Sequence, residues 1–301
     1  MFNFTNSCLT RLLVFEIHIS PDLNFERQVI PRMDRTDIAI LVNSTPKYYY
    51  ILPLCFGMLR RYAPNLRWDI ILATEVPEHP ICEKVAVEHG VQILPIPLER
   101  ESFIDSRLAA LERIQNKYKY CLMLQDDFIL EMPMDSTAIE LLLNAMDAEP
   151  RVGSARLMPC PGPAAADSPW ESGPSCWKLL SQEHDEYGFV YQATVWRLNA
   201  AILWYQTLVN TLESVAPRSS TPAAMRRHIE IRQNLAENVK GQELFWRTLG
   251  YLKHVAWIRK GPQPNAVYLS PYPYRPTAIV HGKLELWAVQ LAQRENIAIE
   301  H

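Results

Sequence analysis

A regular alternation dominates the first half of the chain. Short apolar runs that end in small polar residues are each followed by a helix-length stretch, from "TDIAILVNST" (36–45) through "STAIELLLNAMDAEP" (136–150). The runs "TDIAILVNST", "RWDIILATEVP" (67–77), "VQILPIP" (91–97) and "YCLMLQDD" (120–127) read as strands, the first of them buried. Between them, "YYYILPLCFGMLRRYAP" (48–64), "HPICEKVAVEHG" (79–90) and "FIDSRLAALERIQNKY" (103–118) read as helices. In the last of these, Ile104, Leu108, Leu111 and Ile114 share one face. Ser136 or Asp135 is a plausible N-cap for the helix that follows. Strands joined through helices lie parallel, so the pattern predicts an α/β fold with a mainly parallel sheet flanked by helices.

After "RVGSARLMP" (151–159), a further strand, the alternation fades. "PCPGPAAADSPWESGPS" (159–175) and "VAPRSSTPAA" (215–224) carry loop composition, and "YGFVYQATVWRLNAAILWYQTLV" (187–209) reads as strand then helix. "AMRRHIEIRQNLAENVKGQELFWRTLG" (224–250) reads as helical with a break near Gly241, and a Pro- and Tyr-rich tail precedes a final helix. The organisation expected is an N-terminal extension (1–34), a regular half (35–150) and a less regular half (151–301), the two halves forming one compact domain.

Several function classes are excluded early. The formal net charge is −3, so no global basic field favours nucleic acid. With ten glycines in 301 residues the chain has no P-loop and no G-x-G-x-x-G after the first strand, and it lacks a G-x-S-x-G elbow. The six cysteines (Cys8, Cys55, Cys82, Cys121, Cys160, Cys176) form no C-x-x-C pair and mostly sit in apolar contexts. They read as reduced, buried thiols, which points to a cytoplasmic location. No run approaches the ~20 apolar residues of a membrane span, and the N-terminus, interrupted by Arg11, Glu16 and His18, lacks the pattern of a signal peptide.

The chemistry concentrates at one place. In open parallel sheets ligands bind outside the carboxyl ends of the strands. Asn43-Ser44-Thr45, Thr74-Glu75 and Gln125-Asp126-Asp127 all fall at such ends. Two adjacent carboxylates directly after a buried strand repel each other unless a cation compensates. Hard divalent ions, Mg²⁺ or Mn²⁺, are commonly held by one or two carboxylates together with substrate phosphates.

The run "YCLMLQDDF", placed last in a nucleotide-binding half, resembles the metal-binding D-x-D region of the A-type, Rossmann-like glycosyltransferases. It is closer still to the E-D-D variant of that motif, with Gln125 in place of the first acidic residue. The resemblance implies an A-type fold and a metal-assisted glycosyltransferase, moving a sugar from a nucleotide-diphosphate donor to a glycan or lipid-linked acceptor in polysaccharide biosynthesis. Peripheral contact with a membrane, where such acceptors are assembled, is compatible with it. The resemblance assigns Asp127 as metal ligand, Asp126 as a sugar or metal contact, Gln125 as a ribose contact, and Asn43, Ser44 and Thr45 as nucleoside contacts. Thr74 and Glu75 complete the donor edge. Arg107 stands where a basic residue meets the diphosphate, and His281 in "IVHGKLEL" resembles a histidine that completes the metal shell. Glu243 in "GQELFWR" resembles the general base of inverting members, and Asp185 and Glu186 compete for that role. Aromatic density in the second half suits a carbohydrate groove, with Trp170 and Trp177 the expected groove residues; Arg259, Lys260 and Arg275 are candidates to meet phosphate. The rivals are a sugar-nucleotide nucleotidyltransferase and a catalytically silent glycan-binding protein of the same fold.

Overall fold

The computed structural model describes residues 35–97, 103–158, 168–183, 187–215, 238–258, 269–275 and 277–299. The four strands of the regular half are β1 (Ile38–Asn43), β2 (Asp69–Thr74), β3 (Gln92–Pro95) and β4 (Tyr120–Gln125). The helices between and after them are α1 (Leu52–Tyr62), α2 (Pro80–His89), α3 (Phe103–Ile114) and α4 (Ser136–Ala148). Local chemistry sets their ends. His79 accepts from Ile81 N and Gly90, at φ 60°, closes α2, while Asp135 accepts from Ala138 N to cap α4.

The second half adds β5 (Val152–Arg156), β6 (Trp177–Leu179), β7 (Thr194–Arg197), α5 (Leu198–Val215), α6 (Val239–Leu249) and β8 (Lys253–Trp257). It ends in a two-stranded hairpin, β9 (Ile279–Val280) and β10 (Lys283–Leu284), and α7 (Leu286–Arg294). Near Gly241 the described helix begins, with Asn238 as N-cap accepting from Gly241 N at 3.1 Å; the part of the expected helical stretch before 238 lies outside the described residues.

One eight-stranded sheet runs through both halves in the order β3-β2-β1-β4-β7-β5-β8-β6. Its first four strands are parallel, as expected. Beyond β4 the sheet is mixed: β7 lies between β4 and β5 antiparallel to both, β8 is parallel to β5, and β6 closes the edge antiparallel to β8. Strand period 2 sends Ile38, Ile40, Val42, Leu122 and Leu124 into the core beneath α1, α2 and α4. Ala39, Leu41, Cys121 and Met123 face the other layer, formed by α3, α5 and α6. A third cluster joins α1 to α7.

The order also creates a switch point. From β1 the chain proceeds outward to β2 and β3, then returns to lay β4 on the other side of β1. Crossovers therefore leave in opposite directions from β1 and β4, and a crevice opens at their carboxyl ends.

Candidate active site

Asn43 is in register with Gln125 on β4 and with Ala73 on β2, so the ends of three strands lie side by side. Ser44 continues the ladder through its N–H to Ala73 O at 3.2 Å. Its hydroxyl donates to Asp126 Oδ2 at 2.6 Å, tying the β1 loop to the acidic pair. Asp126 and Asp127 are both buried, 8% and 7% exposed. Burial first, and the Asp127 charge second, push the Asp126 carboxyl up to about 7, against the pull of Ser44 and Arg107. Burial likewise pushes Asp127 up to about 6, opposed by the backbone N–H groups of Ile279 and Ala278. Asp127 Oδ1 is buried with no hydrogen-bond partner among the described residues. An unpaired, desolvated carboxylate oxygen beside a second carboxylate is the donor set a hard cation takes.

His281 does not join that set. It sits with Gly282 at the tip of the β9–β10 hairpin, exposed, at φ 50°. Among the described residues no three His, Cys, Asp or Glu side chains gather as a metal-binding group. The hairpin nevertheless matters, because its first strand and the preceding residue supply the N–H groups that face Asp127. Gly282, at φ 77°, also lies against Lys47: a Cβ there would stand 3.7 Å from the ammonium. Lys47, exposed in the turn after β1, is a cation at the site that the sequence reading passed over.

Other expected contacts separate by geometry. Thr74 is fully buried, and its hydroxyl is taken by the Tyr49 hydroxyl. Thr45 stands at the start of the turn Pro46–Ile51 with its carbonyl accepting from Tyr48 N, and Glu75 follows Thr74 at the β2 end. Gln125 donates from Nε2 to Tyr191 O at 3.2 Å. Arg107 is 5% exposed in α3, its guanidinium stacked 3.5 Å from the Phe103 ring centroid and donating to Phe103 O at 3.1 Å. It opens on a small cavity with Gln125, Tyr191, Gln192 and Tyr205.

The wall opposite, residues 188–192, is held from two directions. Gln242 on α6 accepts from Phe189 N and donates to Phe189 O, both at 2.8 Å. Gly188 leaves room for Trp246, whose ring would lie 2.5 Å from a Cβ at that position. From the tail, the Tyr274 hydroxyl accepts from Ala193 N at 2.9 Å and donates to Gln192 Oε1 at 2.5 Å, while Tyr272 donates to Phe128 O at 3.2 Å. Two buried tyrosines thus strap both sides of the acidic pair. Gln192 was missed as a site residue, and Tyr191, Tyr272 and Tyr274 were counted only within the aromatic density of the second half; the signal available was "SPYPYR", where rigid prolines alternate with aromatics that carry a polar handle.

Glu243 is exposed on α6, one residue from that clamp. Asp185, Glu186, Arg259 and Lys260 lie outside the described residues, as do Cys8 and Cys160. Trp170 and Trp177 are not groove residues. They are 3% and 1% exposed, Trp170 donating to Glu149 Oε2 at 2.7 Å and Trp177 packing edge-on to Trp257. Arg275 is engaged by Glu131 at 2.6 Å and lies over the Trp287 ring. Cys55, Cys82, Cys121 and Cys176 are free thiols.

The sequence matches no protein-family model and no curated protein. Among solved structures it is similar to a cytidylyltransferase from Leptospira borgpetersenii serovar Hardjo-bovis, at 12% identity and a TM-score of 0.42, over 89% of this chain and 98% of that one. It is also similar to residues 1–349 of S. aureus TarS in complex with UDP, at 9% identity and a TM-score of 0.44, over 75% of this chain and 59% of the TarS chain. A 4-diphosphocytidyl-2C-methyl-D-erythritol synthase from Anaerococcus prevotii aligns at 10% identity and a TM-score of 0.36, over 72% of this chain and 98% of that chain. Among the described residues no helix is long and apolar enough to cross a membrane.

Proposed function

We propose that the chain is a metal-assisted glycosyltransferase that binds a nucleotide-diphosphate sugar at the carboxyl ends of β1, β2 and β4. The observation that carries this reading is the buried Asp126–Asp127 pair at the sheet's switch point, with Asp127 Oδ1 unpartnered among the described residues. Asp127 and Asp126 would hold a divalent ion, Mn²⁺ or Mg²⁺, which when bound neutralises the diphosphate and stabilises it as it departs. Ser44 orients the Asp126 carboxylate by its 2.6 Å bond. Lys47, exposed and across from the Gly282 tip, would add a positive charge where phosphate charge develops. Thr45, at the start of the turn after β1, would contact the nucleoside. Gln125, tied to Tyr191 O, contributes no charge, so the protein's share of the metal shell is two carboxylates rather than three.

On the acceptor side, Glu243 is exposed on a helix whose neighbouring residue, Gln242, fixes the cavity wall. It is the candidate to take the acceptor hydroxyl's proton, with Asp185 the competing carboxylate. The acceptor class, a glycan or a lipid-linked sugar, follows from the same reading.

The test is calorimetric titration with UDP and GDP, with and without Mn²⁺, for the natural protein and for Asp127→Asn. Metal-dependent binding in the first, lost in the second, is expected. Absence of nucleotide binding under every condition, or binding indifferent to both the metal and the substitution, would overturn the proposal; glycan binding without metal would mark a silent binding protein.

A further inference from the structure

We infer that the sugar of the donor carries a carboxylate and that Arg107 receives it, an inference that rests on the donor-site reading above. Arg107 has five N–H donors and is 5% exposed. Among the described residues its one hydrogen bond goes to Phe103 O, and its flat face is covered by the Phe103 ring at 3.5 Å. No ion pair with a described residue neutralises it; Asp126 and Asp127 act on it through space. A buried guanidinium is costly to keep without a carboxylate or equivalent anion on its remaining donors. Those donors belong to the side chain that opens on the cavity with Gln125, Gln192 and Tyr205.

A second observation comes from β1. Asn43 Nδ2 and Oδ1 are both buried without a partner among the described residues, directly beside Gln125 in the strand register. Strand alternation places Asn43 and Gln125 with Leu41 and Met123, on the sheet face covered by α3. This corner of the fold therefore holds a cation and a neutral amide that the described residues leave unsatisfied.

The site of the diphosphate decides what fills it. Asp127 faces the backbone of Ala278 and Ile279, whose core neighbours belong to the α1–α7 layer on the opposite side of the strand end. A diphosphate held through Asp127 leaves the Arg107 cavity to the group it carries, the sugar. Hydroxyls would satisfy Asn43 and Gln125 but leave the guanidinium charge uncompensated. A planar carboxylate matches its fork with two parallel hydrogen bonds. The resemblance expected Arg107 on the diphosphate; the geometry assigns it one step further along the donor.

The experiment compares matched donor pairs in the presence of Mn²⁺: UDP-glucose against UDP-glucuronate, and GDP-mannose against GDP-mannuronate. Within the pair whose nucleotide binds, the acid should bind about 10- to 100-fold tighter than the neutral sugar, the range for hydrogen bonds to charged groups. Arg107→Gln should bring the two to equal affinity, while Asp127→Asn weakens both alike. Equal affinities in the natural protein, with metal-dependent nucleotide binding intact, overturn the inference and leave the donor-site reading standing. An acid preference that survives Arg107→Gln overturns the role of Arg107. Failure of every nucleotide to bind removes both readings together. The ratio in the natural protein decides the matter even where Arg107→Gln does not fold.

Discussion

Replacing Asp126 by asparagine should make the protein more stable at pH 8 while removing its metal-dependent binding. The structure holds the Asp126 carboxyl up at about 7, against an ordinary value of 3.8, chiefly because it is buried and secondly because Asp127 is its neighbour. Each pH unit of displacement corresponds to about 1.4 kcal/mol, so the ionised side chain costs the native state on the order of 4 kcal/mol above pH 7. Asparagine has nearly the same volume, carries no charge, and its Oδ1 can still accept the Ser44 hydroxyl that bonds Asp126 at 2.6 Å. Most of the cost is therefore relieved without opening a cavity.

The sign follows from proton counting. Between the unfolded value near 3.8 and the folded value near 7, the native state binds more protons at this site than the unfolded chain. Its contribution to stability therefore falls as pH rises through that window and is level above it, opposite to a carboxylate held by a salt bridge. The assay is urea unfolding of both proteins at a series of pH values from 4 to 8, read as Cm at constant m. Subtracting one curve from the other removes the groups common to both that do not couple to Asp126, Glu131 included; relief of Asp127 from the neighbouring charge adds to the difference in the same sense. A difference that opens from near zero at pH 4 to a few kcal/mol at pH 8 in favour of the variant is expected. Mn²⁺ at pH 8 should then raise the stability of the natural protein and leave the variant unmoved. A flat difference, or a variant less stable at pH 8, would refute the reasoning. It would mean that Asp126 is solvated or serves as an ordinary turn cap.

Three further outcomes follow from the same geometry. Metal-dependent nucleotide affinity should fall about tenfold between pH 7 and 6 and faster below it, because both carboxylates must be ionised and they titrate near 7 and 6; titrations in matched buffers check this. Lys47→Ala should weaken nucleoside-diphosphate binding about 3- to 10-fold, more at low ionic strength, without altering unfolding by urea. Gln242→Leu removes both 2.8 Å bonds to Phe189 and leaves a buried N–H and C=O unpaired, so it should cost about 2–4 kcal/mol in urea unfolding.

What the sequence disclosed and what it hid divide along one physical line. Three of the four parallel strands, β1, β2 and β4, were legible because burial on both faces writes continuous apolar runs; β3, at the sheet edge and partly exposed, was read from its turn residues and neighbours, and caps such as Asp135 write their own punctuation. Asp126 and Asp127 stood out for the same reason: charge is conspicuous where a buried strand has just ended. Everything that depends on which distant segment lies alongside was invisible. No local pattern says that β7 inserts between β4 and β5, yet that insertion brings residues 189–192 against Arg107 and so makes the cavity. Trp170 and Trp177 flank a Pro- and Gly-rich run and so read as exposed, but β6 pairs with β8 and buries them against Glu149 and Trp257. The tyrosines of "SPYPYR" carry a polar handle, but nothing local says that it is Phe128 and Ala193 they strap. The site is therefore written in two registers. Its charges are local and could be read in advance; its walls are held by pairings more than fifty residues apart in the chain, such as Gln242 with Phe189. Since the walls choose what may sit beside the acidic pair, substrate selectivity in this fold should respond to substitutions at the clamps as well as at the charges.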